Sequence, residues 1–280
     1  MMNTDTAALE AAIQARLDAS TNSDRAWKIL TRPGCGRYLV ARRDIAAGDV
    51  IFVEKPLLVA HAMHSHVEPA MRSEMTAAAL ELLREPIDSP AFLLQEADLS
   101  EDADGTRAAS LRAWARDVQR ALLQSAPLRR ADGSEVTVTE QSVQWALSVA
   151  SVNVHGRCDP ERGVLGLLAS MMEHDCSPST SAQIASAADG STITLRAKRD
   201  VRVGESLSIS YALEQAPVLE RRRLLRLQHG FVCACKTCTA ELVADGSTSS
   251  SVERDSDDWR QAWENRAWAG MDPYTGESTA

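Results

Sequence analysis

Aromatic residues make up only 4% of the 280-residue chain, so a packed core has to come mainly from Ala, Leu and Val within an apolar share of 44%. Basic charge is short as well. The formal net charge of −9 argues against general affinity for nucleic acid, because phosphates are neutralised by a basic surface. Arg221-Arg222-Arg223 is a local exception, readable as a basic patch or, more simply, as the solvated face of a helix. No stretch approaches the roughly 18 uninterrupted apolar residues of a membrane span. The start, Met1-Met2-Asn3-Thr4-Asp5, lacks a basic segment followed by an apolar one, so no secretory leader is expected. Six cysteines, three of them clustered, fit metal binding in a reducing compartment better than a disulfide framework. The expected setting is therefore cytoplasm or nucleus.

What the chain does have is concentrated in two stretches. Cys233-Ala-Cys235-Lys-Thr-Cys238 offers three thiols, and a structural zinc ion wants four ligands in a tetrahedron. Cys176, in Glu173-His174-Asp175-Cys176-Ser177-Pro178, is the best candidate for the fourth, with Cys158 and His229 as alternatives. With Cys176 as ligand, the ion ties together segments 57 residues apart and holds the end of the chain over the first stretch. Cys35 and Cys158 otherwise read as ordinary buried thiols. A redox reading of Cys235-Lys-Thr-Cys238 needs the pair after a strand at a helix start, and no such placement is visible in the sequence.

Along the chain, residues 7–19 read as a helix with Leu9, Ile13 and Leu17 on one face. Residues 27–30 and 38–41 read as strands around a Pro33-Gly34-Cys35-Gly36 turn, and 50–53 as a further strand after the turn at 44–49. From about 69 to 150 the pattern is helical. Residues 76–84 and 107–124 carry apolar residues three and four apart, among them Leu111, Trp114, Val118 and Leu122. An acidic loop is expected over 97–106 and a turn over 131–134. Strands return at 191–196 and 206–211, and 217–229 reads as a basic helix entering the cysteine cluster. Residues 43–51 are echoed by 199–207, each a strand–turn–strand with a glycine (Gly48, Gly204) where positive φ is needed. Residues 245–258 read as disordered, and Trp259, Trp263 and Trp268 as a short amphipathic segment that packs back on the body.

In order, Gly36-Arg37-Tyr38-Leu39-Val40-Ala41-Arg42-Arg43-Asp44-Ile45, Glu173-His174-Asp175-Cys176-Ser177-Pro178, Ile209-Ser210-Tyr211 and the Cys233–Cys238 cluster resemble the SET-domain methyltransferases. Within them the resemblance is to the SET-and-MYND branch, especially its arthropod-type members without MYND ligands, and it covers roughly residues 25–240. It implies an α+β fold of small curved sheets with a pseudoknot and a helical insertion. The SET domain would span 25–212 with the insertion at about 69–150. A zinc-bearing post-SET segment would occupy 213–240, with an N-terminal helix within 1–24 and an acidic, Ser-rich tail at 241–280.

The resemblance further implies S-adenosylmethionine and zinc as cofactors and a protein or peptide lysine as substrate, handled by a monomer without nucleic-acid or membrane contact. Arg37 would line the methionine end of the cofactor and Asn153 would contact it through its amide. Ser170 and Met172 would offer backbone groups, Glu173 and His174 would take the places of an Asn-His pair, and Phe231 would stack on the adenine. Tyr211 would lie across the transfer channel, oriented toward amine and methyl without needing to ionise. Where the family often has a second channel Tyr this chain has His229. His61, His64 and His66 fall where a MYND module would begin, but no Cys-x-x-Cys follows, so that module is not expected, nor is the helical C-terminal domain of longer relatives. Lysine methylation needs a neutral amine, and with a pKa near 10.4 only roughly one lysine in a thousand is neutral at pH 7. Desolvation and a nearby sulfonium would raise that fraction.

Overall fold

The computed structural model describes residues 6–17, 25–33, 36–61, 74–86, 88–97, 105–155, 162–176, 181–187, 189–211 and 216–245. Cys35, Cys158, His64, His66, most of the acidic loop and the Trp-containing tail lie outside them.

Helix α1 spans Thr6–Gln14, shorter than the 7–19 expected from its apolar spacing. Leu17 has already left the helix and forms an isolated bridge with Glu54, so contact with the sheet overrides local helical preference. Strands β1 (Trp27–Arg32) and β2 (Gly36–Ala41) pair as a hairpin from Trp27↔Ala41 to Arg32↔Gly36, with Gly36 at φ +73° where the hairpin turns. Strands β3 (Val50–Glu54), β8 (Ala182–Ser186) and β9 (Ile193–Ala197) form an antiparallel sheet in the order β3-β9-β8. A second antiparallel sheet, in the order β4-β6-β5, is built from β4 (Leu58–His61), β5 (Val154–His155) and β6 (Arg162–Leu165). Two-residue strands β7 (Glu173–His174) and β10 (Ser208–Ile209) pair in parallel, which sets residues 173–175 beside 207–211.

The helical insertion is real. Helix α2 (Glu74–Arg84) and α3 (Thr106–Leu123) both pack on α4 (Glu140–Asn153). In α3 the face carrying Leu111, Trp114, Val118 and Leu122 is buried, as its three- and four-residue spacing predicts. Aromatics contribute little to the main core, namely Trp27 edge-on to Phe52 at 6.4 Å and Trp114; most of the rest is Leu, Ala, Val and Ile. Helices α5 (Val218–His229) and α6 (Lys236–Asp245) close the described chain and pack on each other.

The repeated segments pair with each other. Ile45 and Val201 exchange backbone hydrogen bonds at 2.9 Å in both directions. Asp44 accepts from Val203 N–H at 2.8 Å, and Asp200 accepts from Ala47 N–H at 2.9 Å. Gly48 and Gly204, at φ +89° and +83°, let both turns close without a Cβ penalty. A local two-fold relation thus locks the first strand pair to the second half of the chain.

Two sequence readings need correction. The strand expected over 206–211 is only Ser208–Ile209, and Tyr211 lies beyond it, because the partner strand offers just two residues. Arg221 and Arg222 are not on a solvated face: they are 3% and 4% exposed, Arg221 because it meets Cys238 and Glu241 of α6 rather than water. Among the described residues no helix is long and apolar enough to cross a membrane.

Candidate functional site

The site is assembled by a carboxylate the sequence reading did not single out. Glu54 ends β3 on the same face as Phe52 and is 1% exposed. Its carboxyl accepts the N–H groups of Leu167 (3.1 Å), Leu168 (3.1 Å) and Ala169 (2.7 Å). These open a 3-10 turn over Ala169–Met171, so the carboxyl caps a helical N-terminus from inside the core. A Cβ on Gly166 would collide with Glu54 Oε1, which explains the glycine there. Burial pushes Glu54 up to about 7, against the pull of the three N–H donors and of Arg16. The turn then delivers Met172, Glu173, His174 and Cys176 along β7. The signal for Glu54 was a charge in phase with the buried residues of an apolar strand.

From that edge Tyr211 is held at both ends. Its N–H donates to His174 Nδ1 at 3.0 Å, and its hydroxyl donates to the Met172 carbonyl. Its ring lies 5.1 Å from that of His174 and 4.7 Å from that of His229, and Phe231 sits 5.7 Å from His174. Burial pushes His174 down to about 4, so its imidazole is neutral. Because Nδ1 accepts from Tyr211, the proton sits on Nε2, which faces Cys176 Sγ at 3.3 Å.

These rings border a cavity of about 340 Å³. Its walls include Arg37, Asn153, Ser170, Met172, Glu173, His174, Tyr211 and Phe231, so every residue that the resemblance assigned to cofactor or catalysis meets there. His229 lines it too, as do Arg32, Gln95 and Glu96, for which neither spacing nor composition gave a signal. A second cavity of about 360 Å³ shares Arg32, Glu173, His174 and Phe231 with the first and reaches Cys233 and Cys235.

Helix α4 starts with a reciprocal capping box between Thr139 and Ser142 and ends at Asn153, whose amide donates to Val149 O (2.6 Å) and Gln95 O (2.7 Å). That amide therefore terminates the helix and fixes the Gln95–Glu96 wall. Arg37 gives one nitrogen to the Leu93 carbonyl, while its Nη1 is buried without a hydrogen-bond partner, and burial lowers its pKa. Glu173 is ion-paired with Arg32, whose guanidinium covers the Tyr38 ring at 4.8 Å.

Beside the cavity the sulfurs of Cys176, Cys233, Cys235 and Cys238 all lie within 4.8 Å of one another, Cys176 and Cys238 at 3.5 Å. A tetrahedron of thiolates about 2.3 Å from a zinc ion has edges of about 3.8 Å, so the set fits such an ion with small inward shifts. Of the alternatives, His229 turns to the cavity, and Cys158 lies outside the described residues. Cys238 is held well below the usual thiol range by hydrogen bonds from Cys176 and Cys233, with Arg221 3.8 Å away. Arg221 also pairs with Glu241 at 2.6 Å. Four thiolates around a divalent ion would leave two negative charges, one of which the buried Arg221 guanidinium would offset. Cys235 and Cys238 do open helix α6, so the pair has one of the two placements redox chemistry prefers, but both thiols belong to the four-sulfur cluster.

A family model described as SET domain matches residues 36–212, more than half of the chain. Histone-lysine N-methyltransferase SET5 of Meyerozyma guilliermondii is 35% identical over 75 residues, 27% of this chain and 16% of that protein. Histone-lysine N-methyltransferase SMYD3 of Homo sapiens is 38% identical over 72 residues, 26% of this chain and 16% of that protein. A SET and MYND domain-containing protein of Dictyostelium discoideum is 33% identical over 85 residues, 30% of this chain and 24% of that one. The match thus spans a quarter or less of each of these relatives. Among solved structures, the SET domain of LSMT bound to lysine and AdoHcy matches with a TM-score of 0.57 at 19% identity, over 82% of this chain and 58% of that one. Rubisco LSMT bound to AdoMet matches at 0.58 and 19%, over 81% and 56%. With that family model covering more than half of the chain, the chain belongs to the SET-domain family.

Proposed function

We propose that the chain is an S-adenosylmethionine-dependent protein-lysine N-methyltransferase, with Tyr211 as the catalytic residue. The observation that carries this is the two-point clamp on Tyr211 at the wall of a cavity that gathers all the residues in question. Two relatives carry histone-lysine methyltransferase in their names, and solved neighbours hold AdoMet or AdoHcy and lysine, which supports both ligands. When bound, the cofactor supplies a sulfonium methyl for in-line displacement by an amine.

The residues of the chain do the rest. Arg37 Nη1, a buried donor left over, suits the cofactor's carboxylate, and Phe231 offers a ring face to adenine. Asn153, Ser170, Met172, Glu173 and His174 line the remaining wall. Tyr211 orients the amine, and alignment of this kind supplies on the order of 7–11 kcal/mol. Zinc at Cys176, Cys233, Cys235 and Cys238 would hold the Phe231 segment against the cavity.

The test is transfer of labelled methyl from S-adenosylmethionine by the full chain to core histones or to free lysine. Tyr211→Phe is expected to lower kcat by about 10- to 100-fold while cofactor affinity, measured by calorimetry, stays within about threefold. Equal rates for wild type and variant would remove Tyr211 from catalysis. The rival reading, a SET-fold module that binds without transferring, is favoured by one contact: Glu173 is already engaged with Arg32 on the cavity wall. Cofactor heat without transfer to either substrate would select it.

We also read the chain as nearest to the SET-and-MYND branch without MYND ligands, acting as a monomer in nucleus or cytoplasm. Its SET unit would span 25–212 with the insertion at 69–150. The post-SET segment beginning at 213 would extend beyond 240, since α6 runs to Asp245, and shorten the proposed tail.

A further inference from the structure

We propose that Arg32 is a displaceable counter-ion of Glu173, yielding that carboxylate to the ammonium of the cofactor's amino-acid end when the cofactor binds, an inference that rests on the methyltransferase reading above. Arg32, Glu173, His174 and Phe231 line both cavities, so the Arg32–Glu173 ion pair stands on the line where the two meet. A ligand that reaches from one cavity into the other has to pass it.

The two partners are unequal. Side-chain exposure is 53% for Arg32 and 14% for Glu173. A half-exposed guanidinium adds little to such a pair, because water competes for it and salt screens it. Arg32 also has a second resting place, over the Tyr38 ring at 4.8 Å, where the ring face attracts a cation. It forms the last rung of the β1–β2 hairpin, opposite Gly36, and its side chain can leave Glu173 without breaking a strand pairing. Glu173 is held in place: its N–H donates to the Leu207 carbonyl at 3.2 Å, and it pairs with Ser208 across the β7–β10 ladder.

A methionine end carries a carboxylate and an ammonium on one carbon. The carboxylate suits Arg37, whose buried Nη1 has no hydrogen-bond partner. Arg37 shares its cavity with the carboxylates of Glu96 and Glu173. Glu96 is exposed, and an ion pair formed in water contributes little. Glu173 is the more buried of the two and already seats a cation in this structure. Once the cofactor covers it, Glu173 attracts an ammonium inside the cavity more strongly than a guanidinium reaching in from the rim, because water no longer weakens the field.

Calorimetric titration of the full chain tests the exchange with S-adenosylhomocysteine and methylthioadenosine, two thioethers of which only the first has the amino-acid end. Arg32→Ala should tighten S-adenosylhomocysteine by about three- to fivefold, the scale of a half-exposed ion pair, and leave methylthioadenosine within about twofold. Glu173→Gln should weaken S-adenosylhomocysteine by about tenfold, since a charge-assisted hydrogen bond becomes a neutral one. Added to Glu173→Gln, Arg32→Ala should bring no further gain, because both act on one carboxylate. Tightening of both ligands alike would mean that Arg32 merely obstructs the cavity, and weakening of both that it builds the wall; either result overturns the inference. A larger loss from Glu96→Gln than from Glu173→Gln would seat the ammonium at Glu96 and overturn it too. Unchanged S-adenosylhomocysteine affinity in Arg32→Ala, with wild type still binding, removes the exchange and leaves the methyltransferase reading standing. No heat from S-adenosylmethionine or S-adenosylhomocysteine, in wild type and in Arg32→Ala, refutes the cofactor reading itself and the exchange with it.

Discussion

Glu54 puts an ionisable carboxyl where solvent cannot reach it, and the molecule answers with three N–H donors and a shifted proton equilibrium. Its folded pKa of about 7 stands above the ordinary 4.5, so the folded state binds the proton more tightly than the unfolded chain. The associated stabilisation is full below about pH 4.5 and is lost as pH rises through 7, a change of about 3 kcal/mol. Urea unfolding at pH 5.5 and 8 should therefore show wild type losing more stability than Glu54→Gln over the same interval. Parallel losses would mean that the three donors keep Glu54 ionised throughout. At this scale the sequence was a partial guide. The thiols and the rings around Tyr211 announce themselves by type and spacing, whereas Glu54 looks like a charged strand end. Arg221 misleads for the complementary reason: a run of three arginines resembles a wet face until one knows that the cysteine cluster lies beside Arg221.

Long amphipathic elements were legible because their period reports one buried face, as α3 demonstrates. Of the short strands, β3 and β9 were legible at 50–53 and 191–196, whereas β4, β6 and β8 were not. Strands β5, β7 and β10 carry two residues each, too few for alternation to register, and exist because a distant segment supplies their hydrogen bonds. Helix α4 belongs between these extremes. Its C-terminal residue, Asn153, positions the cavity wall, while its start is fixed by the Thr139–Ser142 box more than a dozen residues away. Thr139→Ala should cost about 1 kcal/mol of stability, because the Ser142 N–H loses its side-chain acceptor and the reciprocal box is broken. Cofactor binding should weaken by no more than about threefold, since the Val149 and Gln95 carbonyls still hold the Asn153 amide. Chemical unfolding and calorimetry on one preparation check both; a tenfold weaker binding without loss of stability would show that the cap acts on the wall directly.

The described residues form two cores of unequal size. The larger spans the sheets and helices from Leu9 to Ile209; the smaller groups Cys176, Val218, Leu225, Cys233 and Cys238. Only a few apolar side chains hold the second, so a metal ion at the thiols would supply much of its stability. Tyr211 and Phe231 pack against the smaller core, and Tyr211 against the larger one too, so one side of the cavity hangs on the thiol cluster. Removal of metal with a chelator, or Cys235→Ser, should therefore act in two stages. Metal content is expected to fall from about one ion per chain, and cofactor heat should vanish, while the larger core still unfolds cooperatively with most of its far-ultraviolet signal. Differential scanning calorimetry then separates a small early transition, missing after chelation, from a main one shifted by only a few degrees. A single transition that moves as a unit would mean that the two cores fold together and that the smaller one is not a separable clamp on the cavity. Full cofactor binding by the metal-free chain would show that the Phe231 segment keeps its place without the ion.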